Sequence, residues 1–440
     1  MPDSGTGRLD WESEDQISGW SDRPPLHADA LDATDSIAGK PLKVLVLTSS
    51  TGGGHDARAE AFGDWVKTLY GSSVEVVINH TLEDSSPWYA FGVEFYNKIQ
   101  RNLPVFHHFY YHLGEIFGLF QSDHPSLGLK YFDRLIREFR PDIIFSVHSI
   151  LNKGYFRHAK QVLGNNVYCV TYCGEFKGSY GFSRNWVAQE VDLFLGRTTH
   201  TLASAQKLGL PADKAKCLGH LLSPTYHEPP MSAEARADFL KEELDLDPNR
   251  FTLLLATGGA GAHNHLPLLD GLLPFADKLQ TIVLCGRSAE AQERLATWQA
   301  AHPEFRIAAL PYPKQMHRLL QVASAVVARP GTTTSAEALQ LGCPIIFNRI
   351  GGTMPQEYCT LRYFRMKRLS PEIRSPRDLA KRLSPWLDQP SNYARYLAQF
   401  RAARTDDDPE TLVATILGKG DPSRVIQASV RNNAERLPLA

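Results

Sequence analysis

The residues with the clearest chemical potential lie at 325–357, AVVARPGTTTSAEALQLGCPIIFNRIGGTMPQE. A short apolar run, Ala325 to Ala328, is broken by ArgProGly at 329–331. Three threonines follow, and helix formers then run from Ser335 to Leu341 until Gly342 supplies a stop. This order predicts strand, turn, helix, strand. Such a turn gathers free backbone N–H groups at the positive end of a helix dipole, which is the chemistry that holds a phosphate. Glu337, three residues after Thr334, is close enough to reach a sugar hydroxyl beside that anion. The same pair spells a T-x-x-E capping box, a purely local role, and both readings stand.

A second strand, glycine loop and helix unit begins at Leu42. LKVLVLTSS reads as a strand, TGGGH as a turn, and Asp56 onward as a helix. Gly52, Gly53 and Gly54 let a ligand or an opposing domain approach the backbone, and they leave His55 at the helix start. The loop lacks the GKS ending of a P-loop and the full G-x-G-x-x-G pattern, so a tight structural turn is an equal reading. A third glycine loop, GlyGlyAlaGlyAlaHisAsn at 258–264, follows the strand at 251–257. Strands at 141–148 and 166–172 end in polar residues. In an open parallel sheet those ends form the crevice, which places His148, Ser149, Thr171, Glu175 and Lys177 toward a ligand.

The elements that must position these residues alternate strand and helix through two halves. Strands at 74–78, 192–196 and 215–219 complete the first half, and strands at 281–287 and 306–312 extend the second. The segment 220–230, HLLSPTYHEPP, is the best linker. The expected organisation is a loose extension at 1–40, a Rossmann-like domain at 41–225, a second at 226–390, and helices with a tail at 391–440. Residues 88–120 depart from the alternation. Eleven aromatics, Phe109 and Tyr110 among them, crowd this stretch, which suits either a helical core or a face toward lipid.

Composition narrows the class. The 440 residues are 43% hydrophobic and 22% charged with a net charge of −1, so the chain reads as globular and carries no field that would favour nucleic acid. Six cysteines, several in apolar strand-like runs, suit free buried thiols and a reducing cytoplasm. Cys169 and Cys173 stand too far from other Cys or His pairs for a zinc site. The acidic cluster at 405–408, ThrAspAspAsp, reads as a solvated loop between helices. No signal peptide or span is expected, because no apolar run approaches about 18 residues. Membrane contact, if made, is peripheral, and nothing speaks to oligomeric state.

Taken together, the loops resemble the sugar-nucleotide glycosyltransferases of the two-Rossmann-domain GT-B type. The likeness is to monogalactosyldiacylglycerol synthases and processive diacylglycerol glucosyltransferases, with the peptidoglycan lipid-linked N-acetylglucosamine transferase more distant. It rests on LTSSTGGGHDARAEAF, TGGAGAH, VLCGR, and RPGTTTSAEALQLGCPIIFN followed by PQE, in that order, and spans Lys43 to Phe364. The resemblance implies an α/β fold of two Rossmann-like domains facing a cleft, with a UDP-sugar co-substrate in the second half and no other cofactor. Leu310 to Met316, including Pro311, and the Gly286–Arg287 turn would border the uracil. Gly258, Gly259 and Gly261 with Gly331, Thr332, Thr333 and Thr334 would hold the diphosphate. Glu337 would take the ribose diol, and Gln356 with Glu357 the hexose hydroxyls.

An inverting, metal-independent transfer to a lipid hydroxyl is the activity implied. His55 is the first candidate for base or acceptor positioning, followed by Glu175 and Asp56; Gly53, Gly54, His148, Thr171, Phe109 and Tyr110 would line the acceptor side. The chain departs from the family pattern at four places: His148–Ser149 stands for His-Pro, Thr171–Tyr172 for Thr-Asp, Cys359–Thr360 for Gly-Asn, and Arg329 for Lys. These changes leave three readings besides lipid transfer: a soluble acceptor, a sugar-nucleotide epimerase or hydrolase, and a silent nucleotide-sugar binder.

Overall fold

The computed structural model describes residues 41–51, 53–87, 90–93, 128–178, 180–256, 264–286, 288–311, 315–405 and 407–424. Phe109 and Tyr110, Gly258, Gly259 and Gly261, Arg287, and the segments 1–40 and 425–440 lie outside the described residues. Strand and helix alternate through two parallel sheets of six strands each. The first holds β1 (Leu42–Thr48), β2 (Val74–His80), β3 (Ile143–Ser146), β4 (Tyr168–Cys173), β5 (Leu193–Gly196) and β6 (Ala215–Cys217), in the order β2-β1-β3-β4-β5-β6. The second holds β7 (Phe251–Ala256), β8 (Leu279–Gly286), β9 (Ile307–Pro311), β10 (Ala325–Ala328), β11 (Ile345–Asn348) and β12 (Glu372–Ile373), in the order β12-β11-β10-β7-β8-β9.

Register follows from composition. β1 and β8 are near-continuous Val, Leu and Ile runs because helices cover both faces of a parallel sheet. β1 pairs with β2 from Leu42↔Val74 to Thr48↔His80 and with β3 from Val44↔Ile143 to Leu47↔Ser146. The order of each sheet reverses once, between β1 and β3 and between β10 and β7. Crevices open at the carboxyl ends of strands at such reversals. The glycine turn follows β1, His148 follows β3, and the ArgProGlyThr turn follows β10, so the topology places each motif at a crevice.

The final helix crosses back to the first domain. Leu412, Val413, Ile416 and Leu417 of Pro409–Leu417 are buried in one cluster with Phe62, Trp65 and Val66. This return overturns the expectation of a solvated loop for Asp407, while Asp408 is exposed as expected. Asp407 is buried and accepts from Nδ1 of buried His220 and, at 2.8 Å, from Thr405 Oγ1, while Asp408 caps the final helix. The linker is packed as well: Trp65 Nε1 donates to Leu222 O at 2.7 Å, and Tyr172 Oη donates to Gly219 O at 3.0 Å.

Candidate active site

The helix Gly54–Tyr70 starts directly from the glycine turn, and Gly53 stands at its N-cap with φ 75°, a left-handed backbone that glycine adopts without strain. Gly54 faces the other domain. A Cβ there would lie 2.9 Å from Thr333 Oγ1, and Thr333 Oγ1 donates to Gly54 O at 3.5 Å. Gly54 therefore allows a close approach between the domains, one of the roles that spacing had left open, while Gly53 supplies the turn.

His55, the second residue of this helix, is half-buried, and its Nδ1 lies 2.7 Å from Val147 O. A carbonyl only accepts, so Nδ1 carries the proton and Nε2 keeps its lone pair. Arg58 Nη1 is 3.3 Å from the same Nδ1, a longer contact between two donors in this tautomer. Burial, His148 and Arg58 hold the imidazole well below its ordinary pKa, against the pull of Val147 O, so His55 is neutral at physiological pH. A neutral imidazole with an oriented Nδ1–H and an unprotonated Nε2 can take a proton from a hydroxyl.

His148 is 5% exposed. Its Nδ1 accepts from Ile150 N at 3.3 Å, which leaves Nε2–H to donate to Thr51 Oγ1 at 3.0 Å. Its ring stands 4.3 Å from that of His55, and burial and Arg58 press its pKa down to about 4. It braces the glycine turn and His55. Asp56 is held by Thr48 Oγ1 at 3.0 Å and His80 Nε2 at 3.3 Å, both on the side of β1 and β2. Thr171 was expected at a crevice, but β4 continues two residues beyond it to Cys173, and Thr171 is fully buried between Ser146 and Phe194. The next residue, Tyr172, is the departure from the family's Asp. Its hydroxyl ties Gly219 to Leu221 N, at 2.9 Å from the latter, and supplies scaffold in place of a carboxylate.

Glu175 is the carboxylate nearest in sequence to that lost acid. It is 8% exposed, Oε2 has no hydrogen-bond partner among the described residues, and burial lifts its pKa to about 7 against Arg58 and Arg197. Lys177, one turn of loop further, reaches Met366 Sδ at 3.4 Å.

In the second domain the helix Thr332–Gln340 is capped by Gly331, and no capping box forms. Thr334 lies inside the first turn, three residues past the cap, so its side chain is misplaced for capping. Glu337 instead accepts from Tyr226 Oη at 2.8 Å, and burial raises its pKa to about 7. Tyr226 belongs to the linker, so the carboxylate expected at the ribose is joined to the segment between domains. Gly286 ends β8 with φ 62°, beside a register shift where it pairs with Pro311, and Met316 opens the helix Met316–Val322. Gly286 and Pro311 thus end adjacent strands at their carboxyl side.

The expected sugar pair divides. Gln356 is half-buried at the N-cap of the helix Glu357–Met366. Glu357 is 2% exposed and already saturated: Arg329 Nε and Nη2 donate to its two oxygens at 2.7 and 2.6 Å, and Met354 N donates at 2.7 Å. An arginine at 329 makes this fork, which a lysine has no geometry to form. Cys359 and Thr360 are fully buried on the inner side of the same helix. Sequence reading missed Arg58 and Arg197, both buried and both bonded to Thr332 across the domain boundary. Among the described residues no group of three His, Cys, Asp or Glu is placed to hold a metal, and no helix is long and apolar enough to cross a membrane.

Two Rossmann-like domains, each with a crevice at the carboxyl ends of its strands, give this chain the GT-B type of fold. Residues 55–220 match the monogalactosyldiacylglycerol (MGDG) synthase family and residues 253–348 the glycosyltransferase family 28 C-terminal domain, so the resemblance read from the loops holds in both halves. The chain is 25% identical over 379 residues to monogalactosyldiacylglycerol synthase 1 of Arabidopsis thaliana, covering 82% of this chain and 68% of that one. It is 24% identical over 319 residues to a processive diacylglycerol beta-glucosyltransferase of Bacillus pumilus, covering 69% and 76%. Its fold is that of MurG from Acinetobacter baumannii, with a TM-score of 0.56 at 13% identity over 86% of this chain and 100% of the other.

Proposed function

We propose that this chain transfers a hexose from a UDP-sugar to the hydroxyl of a diacylglycerol-like lipid, with inversion at the anomeric carbon and without a metal ion. The observation that carries this reading is the contact of Gly54 with Thr333, which sets the His55 turn against the start of the Thr332–Gln340 helix. A base and an anion site from different domains then share one cleft. The lipid acceptor is supported by the names of the Arabidopsis and Bacillus relatives, and by Phe91, which is 61% exposed at the start of the aromatic stretch.

In the proposed step, His55 Nε2 removes the acceptor hydroxyl proton as that oxygen attacks the anomeric carbon opposite the diphosphate. The bond from the anomeric carbon to the diphosphate oxygen breaks, and its electron pair leaves with UDP. Backbone N–H groups of Thr332 to Thr334 and the helix dipole receive the charge. Enclosure of the cleft by the two domains would keep water from competing with the acceptor. Peripheral attachment to the cytoplasmic face of a membrane suits a lipid acceptor.

His55→Ala should lower kcat by about 10²–10⁴-fold, the usual contribution of a general base, with Tm little changed. EDTA should leave wild-type turnover intact. A His55→Ala variant with wild-type turnover would remove the base assignment, and full inhibition by EDTA that a divalent cation reverses would remove the metal-free mechanism.

A further inference from the structure

Two buried cations stand side by side without a salt bridge among the described residues. Arg58 lies one turn into the helix Gly54–Tyr70, and Arg197 follows β5; they are 3% and 2% exposed. Arg58 Nη2 donates to Thr332 Oγ1, and Arg197 Nη1 donates to Thr332 O at 2.7 Å, so both first-domain side chains end at the opening residue of the second-domain helix. Their remaining capacity is unused. Arg58 Nε and Arg197 Nε and Nη2 have no hydrogen-bond partner among the described residues, and neither guanidinium is in an ion pair there.

Packing holds the pair in place. The Arg197 guanidinium lies 4.7 Å over the Phe176 ring, and Phe176 is fully buried within the second-domain core beside Tyr363 and Phe364. Gly174 leaves room for Arg58, since a Cβ there would lie 2.3 Å from Arg58 Nε. Burying two like charges side by side is unfavourable. Burial and Arg197 bring Arg58 down to about 10, so it is still protonated at neutral pH. Glu175, the carboxylate that faces both, is itself raised to about 7 and offsets at most one charge. The site is short of negative charge.

We propose that Arg58 and Arg197 form a clamp that reaches from the first domain to hold the diphosphate of the nucleotide donor against the N-terminus of the Thr332–Gln340 helix. This rests on the nucleotide-sugar reading above. Guanidinium forks match phosphate oxygens in geometry and charge, and the helix start supplies further N–H donors on the opposite side. The diphosphate would then be gripped by both domains at once. Departing UDP would carry away the charge that had neutralised the two arginines.

The test is calorimetry with uridine, UDP and inorganic pyrophosphate on the wild-type protein, Arg58→Met and Arg197→Met, with Tm recorded for each. Removing a buried unpaired charge is expected to leave the unliganded Tm equal or higher. UDP and pyrophosphate affinity should fall by about tenfold or more in each variant while uridine affinity is unchanged, since a bond to a charged group is lost in each. UDP affinity within twofold of wild type in both folded variants would overturn the clamp. Wild-type protein that ignores uridine but binds pyrophosphate, with that binding lost in the variants, would remove the nucleotide reading and uphold the anion clamp. Failure of the wild-type protein to bind either UDP or pyrophosphate overturns both. Should a methionine variant not fold, Arg197→Lys keeps the charge without the fork; unchanged UDP affinity in that variant would count against the proposed geometry.

Discussion

At the scale of single residues, the site is a set of neutral and charged forms fixed by burial. His55 and His148 are both neutral, but their tautomers are opposite because one faces a carbonyl and the other a backbone N–H. Only His55 keeps Nε2 unprotonated. Glu175 works in the reverse sense, since burial lifts its folded-state pKa to about 7, above the ordinary carboxylate value of 4.5. The folded state therefore binds more protons than the unfolded one between those values. Stability falls as pH rises through that window and is lowest above it. Glu175→Gln should flatten this part of the profile and raise Tm at pH 8 relative to wild type. A Tm profile from pH 5 to 8 that is unaltered by the substitution would show that Glu175 is ionised throughout.

At the scale of elements, local chemistry made the turns legible. Glycine runs, the Arg-Pro-Gly break and apolar strands carry their own instructions, so both crevice turns and eleven of the twelve strands could be read directly. β12 could not, because two residues, Glu372 and Ile373, give no period. The capping box failed because Gly331 takes the cap and shifts Thr334 into the helix. Glu357 shows a second limit: a carboxylate beside a glutamine reads as a sugar ligand, but its partner Arg329 is 28 residues away in another turn. The pair joins the end of β10 to the helix Glu357–Met366. Removing one partner of a buried pair costs about 3–5 kcal/mol, so Glu357→Ala should destabilise the fold by roughly that amount. Denaturant unfolding checks this; a Tm and midpoint equal to wild type, with weaker UDP-sugar binding, would return Glu357 to the donor site.

At the scale of the whole molecule, the seam between the domains joins residues that sequence separates widely. Arg58 and Arg197 meet Thr332 over 274 and 135 residues, and no spacing rule links an arginine in one domain to a helix start in the other. The same is true of Asp407 and His220, joined over 187 residues when the final helix returns to the first domain. The contacts between domains form a continuous seam. Phe176 enters the second core, and Gly181, with φ 96°, leaves no room for a Cβ, which would lie 1.8 Å from Pro355 O. The seam brings the His55 turn and the Thr332 helix to one cleft, and the central claim is that sugar passes between them to a lipid. Purified protein should be incubated with UDP-glucose, UDP-galactose or UDP-N-acetylglucosamine and liposomes containing diacylglycerol, and the products resolved by mass spectrometry and proton NMR. The account predicts a glycolipid whose anomeric configuration is inverted relative to the donor. Intact donor, free sugar or isomerised nucleotide with no glycolipid from any of the three would contradict it.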